Sequence, residues 1–435
     1  VVALALMALF LVLPWIPVGG QPAVFLDVVQ RRFHLFGVTL AAQDAWLLFF
    51  LITGLGFTLF FVTSLLGRVW CGWACPQTVF LEHLYRRVER WLEGDHVRQR
   101  KIDAMDWSDP RKLRTRGVKM VIFLILSAVI AHLFLAYFVS MPELYGYMTA
   151  APEENFGAFA FIAAFTGILF FNFTWFREQL CLIICPYGRF QSALIDDDTM
   201  VIGYDETRGE PRGSPRNPQN GDCIDCNRCV QVCPTGIDIR QGLQMECIGC
   251  ANCIDACDAI MDKLNRPRGL VRYDSTNGLA GGKRRWLRPR LFLYGGLMLA
   301  GVTVMAVSVN SIDPVHVGVR RMVTSPYVID RDDRTIRNQY QLRLINKQDS
   351  TALVEVSLHD VPEGHELIGV DGPIELAPME ETSVPFIVRA SIDDYQGRFT
   401  GRVEAVSESG SLRMQKSFDF VGPDPERLKA RYVDE

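Results

Sequence analysis

The chain alternates between long apolar runs and polar segments. Each run has the roughly 20 uncharged residues that an α-helix needs to cross the hydrocarbon core of a membrane. The pattern therefore predicts an α-helical membrane protein with about five transmembrane helices, although a buried soluble helix is the alternative for any single run. The first run ends in "LPWIPVGG", without a small-residue cleavage site, so we expect a retained span rather than a signal peptide. The runs are Val1–Leu26, Ala45–Gly67, Met120–Pro142, Asn155–Phe176 and Leu291–Ile312.

The charges between the runs predict how the chain crosses the membrane. Residues 77–118 carry many Lys and Arg side chains, whereas the loop 143–154 has none, and "KRRWLRPR" directly precedes the last run. The positive-inside rule places residues 77–118 and 177–290 in the cytoplasm of a bacterial cell and the end of the chain in the periplasm. All twelve cysteines fall on the predicted cytoplasmic side, where thiols stay reduced. The near balance of 45 basic and 49 acidic side chains gives no indication of a nucleic-acid partner.

Two polar regions have their own patterns. "LEHLYRRVERWL" (81–92) has the apolar spacing of an amphipathic helix. It either lies on the inner membrane surface or packs on the cysteine-rich region. After the last run, "YQLRLIN", "ALVEVSLH", "SVPFIVRAS" and "GRFTGRVEAV" alternate polar and apolar residues between turn residues. This pattern predicts an immunoglobulin-like β-sandwich.

The cysteines from 223 to 257 form two closely spaced runs. "CIDCNRCVQVCP" is the bacterial ferredoxin pattern, and "CIGCANCIDACD" matches it except that Asp258 replaces the proline. In two-cluster ferredoxins the fourth cysteine of each run binds the other cluster. The predicted ligands of one 4Fe-4S cluster are Cys223, Cys226, Cys229 and Cys257, and those of the second are Cys247, Cys250, Cys253 and Cys233. A pair of zinc sites is the alternative, but three cysteines at two-residue gaps suit a cubane better.

The four remaining cysteines form two pairs in the pattern Cys-x-x-x-Cys-Pro. Cys71 and Cys75 follow the second run, and Cys181 and Cys185 follow the fourth. In a helix, residues four apart share a face, and the prolines favour a helix end or kink at Cys75 and Cys185. Both pairs are predicted at the same membrane surface, so a joint four-sulfur site is geometrically feasible, and thiolates favour Cu(I), zinc or iron–sulfur clusters. The alternative is ordinary packing of small apolar side chains.

Two histidines are weaker candidates. His132 lies within the third run, where an ionisable side chain is a candidate for a haem or quinone contact or is satisfied by helix packing. His83 follows the first cysteine pair by one amphipathic turn, and we do not expect it to bind metal.

The order of these motifs resembles a known family. "GRVWCGWACPQTVF", "CLIICPYGRFQSALID", the ferredoxin runs and the terminal β-domain are similar to the CcoG/FixG/RdxA family, accessory proteins of cbb(3)-type cytochrome c oxidase. The resemblance implies an inner-membrane cupric reductase that supplies Cu(I) for the copper centre of that oxidase. It implies copper at Cys71, Cys75, Cys181 and Cys185, with electrons supplied through the eight ferredoxin cysteines.

The implied partners are the lipid bilayer, the copper ion, oxidase assembly factors or copper chaperones, and an electron donor that the sequence does not identify. A homodimer is left open. Two other functions also remain open. One is a quinol-linked electron relay of the NapH/NosR kind without copper chemistry, and the other is a non-enzymatic copper-binding scaffold. The predicted division is a four-span membrane domain (1–206), a linker with the ferredoxin module (207–282), a fifth span (283–312) and a β-domain (313–435).

Overall fold

The computed structural model describes the whole chain except residues 19, 30, 41–43, 311–313, 323–324, 349, 371, 408–412 and 433–435. The chain divides into two compact units, which are described separately. One contains Val1–Phe36 and Gln43–Val309, and the other contains Gly37–Ala42 and Asn310–Glu435. The predicted boundary between the last span and the β-domain, at 312/313, lies outside the described residues.

Helices dominate the first unit. In chain order the α-helices are α1 (Val2–Val12), α2 (Ala45–Leu66), α3 (Pro76–Phe80), α4 (Arg86–Glu93), α5 (His96–Asp103), α6 (Pro110–Leu135), α7 (Met141–Thr149), α8 (Phe156–Phe171), α9 (Pro186–Leu194), α10 (Glu206–Gly209), α11 (Arg228–Gln231), α12 (Asn252–Lys263), α13 (Thr276–Leu279), α14 (Pro289–Asn310) and, in the second unit, α15 (Pro425–Tyr432). Within the described part of the chain, four π-helical turns join them, at Trp70–Ala74, Leu81–Tyr85, Asn172–Phe176 and Leu180–Ile184.

The strands are mostly in the second unit. They are β1 (Pro17–Val18), β2 (Gln21–Pro22), β3 (Val24–Asp27), β4 (Arg32–Leu35), β5 (Val38–Leu40), β6 (Val201–Tyr204), β7 (Val271–Asp274), β8 (Val315–Arg321), β9 (Val328–Asp330), β10 (Thr335–Asn346), β11 (Ala352–His359), β12 (His365–Ile368), β13 (Ile374–Leu376), β14 (Glu381–Ser391), β15 (Phe399–Ser407) and β16 (Arg413–Phe420).

Among the described residues, four helices are long and apolar enough to cross a membrane: Trp46–Leu66, Pro110–Leu135, Phe156–Phe176 and Pro289–Asn310. They confirm the second to fifth predicted spans, although the third begins ten residues before its predicted start. The run Val1–Leu26 is helical only from Val2 to Trp15, so its predicted end at Leu26 is wrong. Helix α1 ends at Val12, and after a short 3-10 turn the chain forms strands β1 to β3. Pro14 and Pro17 explain this end, because proline cannot continue an α-helix.

The segment predicted as an amphipathic helix packs against the spans. It forms a π-turn followed by α4, and the Tyr85 ring is fully buried, stacked on Phe173 at 4.3 Å and edge-on to Phe123 at 4.9 Å. The Tyr85 hydroxyl and Ser127 Oγ are 2.9 Å apart and share a hydrogen bond. The apolar residues of this segment therefore pack on the neighbouring spans, a contact that the sequence pattern did not predict, and its placement at the inner membrane surface stays a prediction.

The polar face of α4 is held by buried ion pairs. Lys119 of α6, 2 % exposed, places Nζ 3.1 Å from Glu89 Oε1 and 2.8 Å from Glu93 Oε1. Arg177, just after the fourth predicted span, places Nη2 3.0 Å from Glu89 Oε1. These contacts fix α4 between two spans, because each buried charge has a partner.

Lys119→Met is expected to destabilise the protein by about 3 kcal/mol, because the buried Glu93 carboxylate loses one ion-pair partner and keeps only Arg116, whose Nε lies 3.3 Å from Glu93 Oε1. The measurement is the unfolding transition of the detergent-solubilised protein. Lys101→Met, at an exposed position of α5, is the matched control and should leave the transition unchanged. Equal stability of the two variants would contradict this role.

The cysteine-rich module is closed by a small sheet. Strand β6 pairs antiparallel with β7, with Val201 opposite Asp274 and Tyr204 opposite Val271. Ile202, Ile239, Met261 and Leu270 form its buried core, around which most of the eight cysteines pack. The predicted module begins at residue 207. Strand β6 belongs to the module and lies before that residue, so the module begins earlier than predicted.

The second unit is a sandwich of two antiparallel sheets. One sheet has the order β12-β14-β10-β8, with β9 also paired to β10, and the other has the order β13-β11-β15-β16. Leu342 and Val388 of the first sheet pack with Val354 and Val403 of the second in one core. The alternating pattern read from the sequence thus corresponds to an immunoglobulin-like β-domain, as predicted.

Candidate functional site

The two Cys-x-x-x-Cys-Pro motifs have the same local structure. In each, a π-turn ends at the second cysteine, where the chain becomes extended (φ −62°, ψ 127° at Cys75; φ −67°, ψ 111° at Cys185), and the proline begins the next helix. The amide of Cys75 bonds to Trp70 O and that of Cys185 to Leu180 O, both at 2.8 Å. The predicted helix end at each cysteine is confirmed. The cysteines do not lie on one regular α-helix as expected, because i→i+5 bonding replaces the i→i+4 pattern.

Hydrogen bonds connect the two motifs to each other. Arg68 Nη2 donates to Gly188 O at 2.7 Å, and Gln191 Nε2 lies 3.3 Å from Cys71 Sγ. Thr63 Oγ1 and Tyr187 OH are 2.5 Å apart.

A second set of hydrogen bonds connects the first motif to the span that precedes the second motif. Gln77 Nε2 donates to Arg177 O at 3.0 Å, and Asn172 Nδ2 donates to Gln77 Oε1 at 2.7 Å. Gln77 and Tyr187 both stand two residues after the second cysteine of their motif. Each copy is therefore attached to the span that precedes the other, which brings the two cysteine pairs to one end of the membrane domain.

The four thiols are half-buried and influence one another electrostatically. Burial raises the pKa of Cys71 to about 11 and that of Cys181 to about 12. Negative charge on Cys75, Cys71 and Cys185 raises the pKa of Cys181 further, so all four lie within electrostatic range of one another. In the part of the chain that is described, no three His, Cys, Asp or Glu side chains are already placed for a metal ion. The motifs thus bring the sulfur atoms together, and their coordination of copper stays a prediction.

The ferredoxin cysteines line two cavities. The first is lined by Cys223, Cys226, Cys229 and Cys257, and the second by Cys233, Cys247, Cys250 and Cys253 together with Cys229. Burial raises the pKa of Cys257 to about 12, with further increases from the charges of Cys229, Cys223 and Cys226. The donor set of each cavity, four soft thiols, suits a 4Fe-4S cluster. The ligand sets predicted from the sequence therefore fit this geometry.

The backbone shows that the two runs are structural repeats. Asn227 and Ala251, each after the second cysteine of a run, adopt the left-handed conformation and start helices α11 and α12. Asp258, which replaces the proline, accepts a hydrogen bond from the amide of Gly269 at 2.9 Å. This substitution therefore exchanges a rigid turn for a side-chain contact and removes no thiol.

The first motif lies directly against the second cysteine run. A Cβ added at Gly72 would be 2.6 Å from Gly249 O and 2.9 Å from the Cα of Cys250. Tyr273 OH donates to Gly249 O at 2.6 Å, and Trp73 Nε1 donates to Tyr273 OH at 3.0 Å. Sequence reasoning missed Gly72, Tyr273, Arg68 and Gln191. The repeated motif gives no signal for them, because their role comes from contacts between distant segments.

The two candidate histidines lie elsewhere. His132 lines a large apolar cavity with Trp15, Leu144 and Tyr145, and its Nδ1 donates to Ala128 O at 2.7 Å. The structure thus satisfies one ring nitrogen of His132 by a local helix contact. His83 lies in the π-turn Leu81–Tyr85.

Comparison with known proteins agrees with this architecture. Residues 45–101 match a 4Fe-4S binding domain, residues 176–276 a 4Fe-4S dicluster domain, and residues 305–423 the IG-like fold at the C-terminus of FixG. The chain is 38% identical to protein RdxA of Cereibacter sphaeroides, over 78% of this chain and 75% of the relative. The chain belongs to the FixG/RdxA family.

Other relatives in the FixG/RdxA family give the same result. Protein RdxB of C. sphaeroides is 35% identical over 81% of this chain and 77% of its own, and nitrogen fixation protein FixG of Rhizobium meliloti is 33% identical over 83% and 76%. A crystal structure of a FixG-related protein from Vibrio parahaemolyticus matches 26% of this chain and all of its own at 18% identity, with a TM-score of 0.24. The matched 4Fe-4S domains and the membership of the FixG/RdxA family identify the chain as an iron–sulfur membrane oxidoreductase with an electron-transfer role.

Proposed function

We propose that the protein is a cupric reductase that reduces Cu(II) to Cu(I) at Cys71, Cys75, Cys181 and Cys185. The observation that carries this proposal is the convergence of the two thiol pairs beside the iron–sulfur module. Arg68 and Gln191 link the motifs to each other, and Gly72 touches the Gly249–Cys250 backbone. A soft metal ion held by these thiols would lie next to a source of electrons.

The chemistry of the four thiols favours this direction of electron flow. Copper is the substrate, and one electron converts Cu(II) to Cu(I). Soft thiolates stabilise Cu(I) over Cu(II), so binding at this site raises the copper reduction potential. The 4Fe-4S clusters, when bound by the eight ferredoxin cysteines, supply electrons one at a time. Cys71, Cys75, Cys181 and Cys185 lose their protons when the metal binds, because the thiolate is the ligand.

The proposed setting is the bacterial inner membrane. The basic segments 77–118 and 177–290 support a cytoplasmic iron–sulfur module and a periplasmic β-domain. We propose that the Cu(I) produced serves the copper centre of a cbb(3)-type oxidase and passes to assembly factors or copper chaperones.

The proposal is tested on the purified protein by metal analysis and anaerobic EPR, with and without Cu(II). We expect dithionite to reduce two interacting cubanes. Cu(II) added after removal of the excess dithionite should reoxidise them and remain bound as Cu(I). Copper that binds without reoxidising the clusters would favour the non-enzymatic scaffold. Clusters that are reduced by quinol but do not react with Cu(II) would favour the quinol-linked relay.

A further inference from the structure

One side of the iron–sulfur module forms a close junction with the first membrane motif. Gly72 stands between Cys71 and Trp73, and it has no room for a side chain because Gly249 O and the Cα of Cys250 occupy that space. On the module side, Gly249 has φ +69° and its own added Cβ would be 3.2 Å from Arg68 O. Both backbones therefore need glycine for this approach. The result is direct contact between the residues adjoining Cys71 and Cys250.

A pair of aromatic side chains holds this junction. Tyr273 of β7 donates its hydroxyl hydrogen to Gly249 O at 2.6 Å, and the same hydroxyl accepts from Trp73 Nε1 at 3.0 Å. Tyr273 thus bonds at once to the loop between two predicted cluster ligands and to the membrane motif. No sulfur atom takes part in these bonds, so they position the backbone without entering the coordination of either metal site.

The two cysteine cavities differ in their surroundings. Cys226 is the exposed cysteine of the first cavity, whose lining comes from the module itself, including Tyr204 and Arg240. The second cavity contains Cys247 and Cys250, which are adjacent to the junction with Gly72. One end of the module is therefore open to a soluble partner, and the other end faces the four-thiol site.

We infer that electrons enter the module at the Cys226 end and leave it at the Cys247–Cys250 end, across the contact with Gly72. This inference rests on the proposed cupric reductase function. It makes Gly72, Trp73 and Tyr273 positioning residues for the transfer. The balance is one electron from a soluble one-electron donor for each Cu(II) reduced to Cu(I), with no proton transferred in the electron step.

The first experiment compares Tyr273→Phe with Tyr294→Phe, a matched control in α14. Dithionite-reduced protein is freed of excess reductant and mixed with Cu(II) in a stopped-flow instrument. A neutral hydrogen bond contributes about 1 kcal/mol net and 1.36 kcal/mol is tenfold, so loss of two bonds lowers the population of the closed junction, and with it the reoxidation rate, by up to about thirtyfold. Cluster EPR and the affinity for Cu(I) should stay unchanged.

A second measurement on the same variants reports on the structure of the junction. Hydrogen–deuterium exchange should increase in the peptide around Gly249 in Tyr273→Phe, and exchange around Asn227 should not change. Gly72→Ala, with Gly56→Ala as its control in open space, should slow reoxidation further because the loop must move away. Unchanged reoxidation rates in both Tyr273→Phe and Gly72→Ala would overturn the inference. A wild-type protein that does not reduce Cu(II) would instead overturn the proposed function.

The second experiment tests the direction of transfer. Cys226→Ala and Cys250→Ala each remove one predicted ligand, and EPR and iron analysis identify the cluster that remains. Each variant is first reduced with dithionite. We expect Cys226→Ala to reduce copper with the electron stored in its remaining cluster. Cys250→Ala should retain its electron during the time in which wild type completes the reaction. The opposite result, with Cys250→Ala reactive and Cys226→Ala inert, would overturn the assignment of entry and exit.

Discussion

Replacing Cys71 and Cys181 together by alanine is expected to abolish copper reduction while both iron–sulfur clusters remain. The double variant leaves one thiol in each motif, so the remaining pair can no longer supply the soft four-sulfur environment that favours Cu(I). The eight ferredoxin cysteines line separate cavities, so cluster assembly should not depend on these two thiols. The measurements are Cu(I) formation under anaerobic conditions and EPR of the reduced clusters.

The control for this double variant is Ile184→Ala. Ile184 is exposed and is the last residue of the π-turn, directly before Cys185. Its truncation therefore changes a side chain of the motif without removing a thiol. It should reduce copper at the wild-type rate. Retained cupric reductase activity in the double variant would show that copper is reduced elsewhere on the protein.

Cys257→Ala is expected to remove the cluster of the other cysteine run. Cys257 belongs to the second run by sequence, yet it lines the cavity of Cys223, Cys226 and Cys229. Iron content should fall by about half, because each cubane contains four irons. Cys257→Ala should lose the same EPR signal as Cys226→Ala. It should keep the signal that Cys250→Ala loses.

Asp258→Ala is the matched control, because it removes only the hydrogen bond to the Gly269 amide. Both cluster signals should survive in this variant. If Cys257→Ala instead eliminated the same signal as Cys250→Ala, each run would bind its own cluster and the crossed ligand assignment would be wrong.

The fold was predictable where a pattern is long and local. The spans that end at Leu66, Phe176 and Asn310 follow directly from uncharged runs, and the strands of the β-domain follow from their alternation. The prediction placed the end of the first run at Leu26, but Pro14 and Pro17 end its helical part near Trp15. It was also incomplete for α4, because apolar spacing shows that one face is buried but does not identify what covers it.

The sequence by itself determined which chemistry the chain can perform. Twelve cysteines in two ferredoxin runs and two Cys-x-x-x-Cys-Pro motifs specify soft-metal ligation, because the donor atoms and their spacing are part of the sequence itself. Only the tertiary structure decided how the two membrane motifs contact each other and which end of the module touches the first of them. That information resides in contacts such as Gly72 with Gly249, which join residues far apart in sequence and depend on space rather than on local pattern.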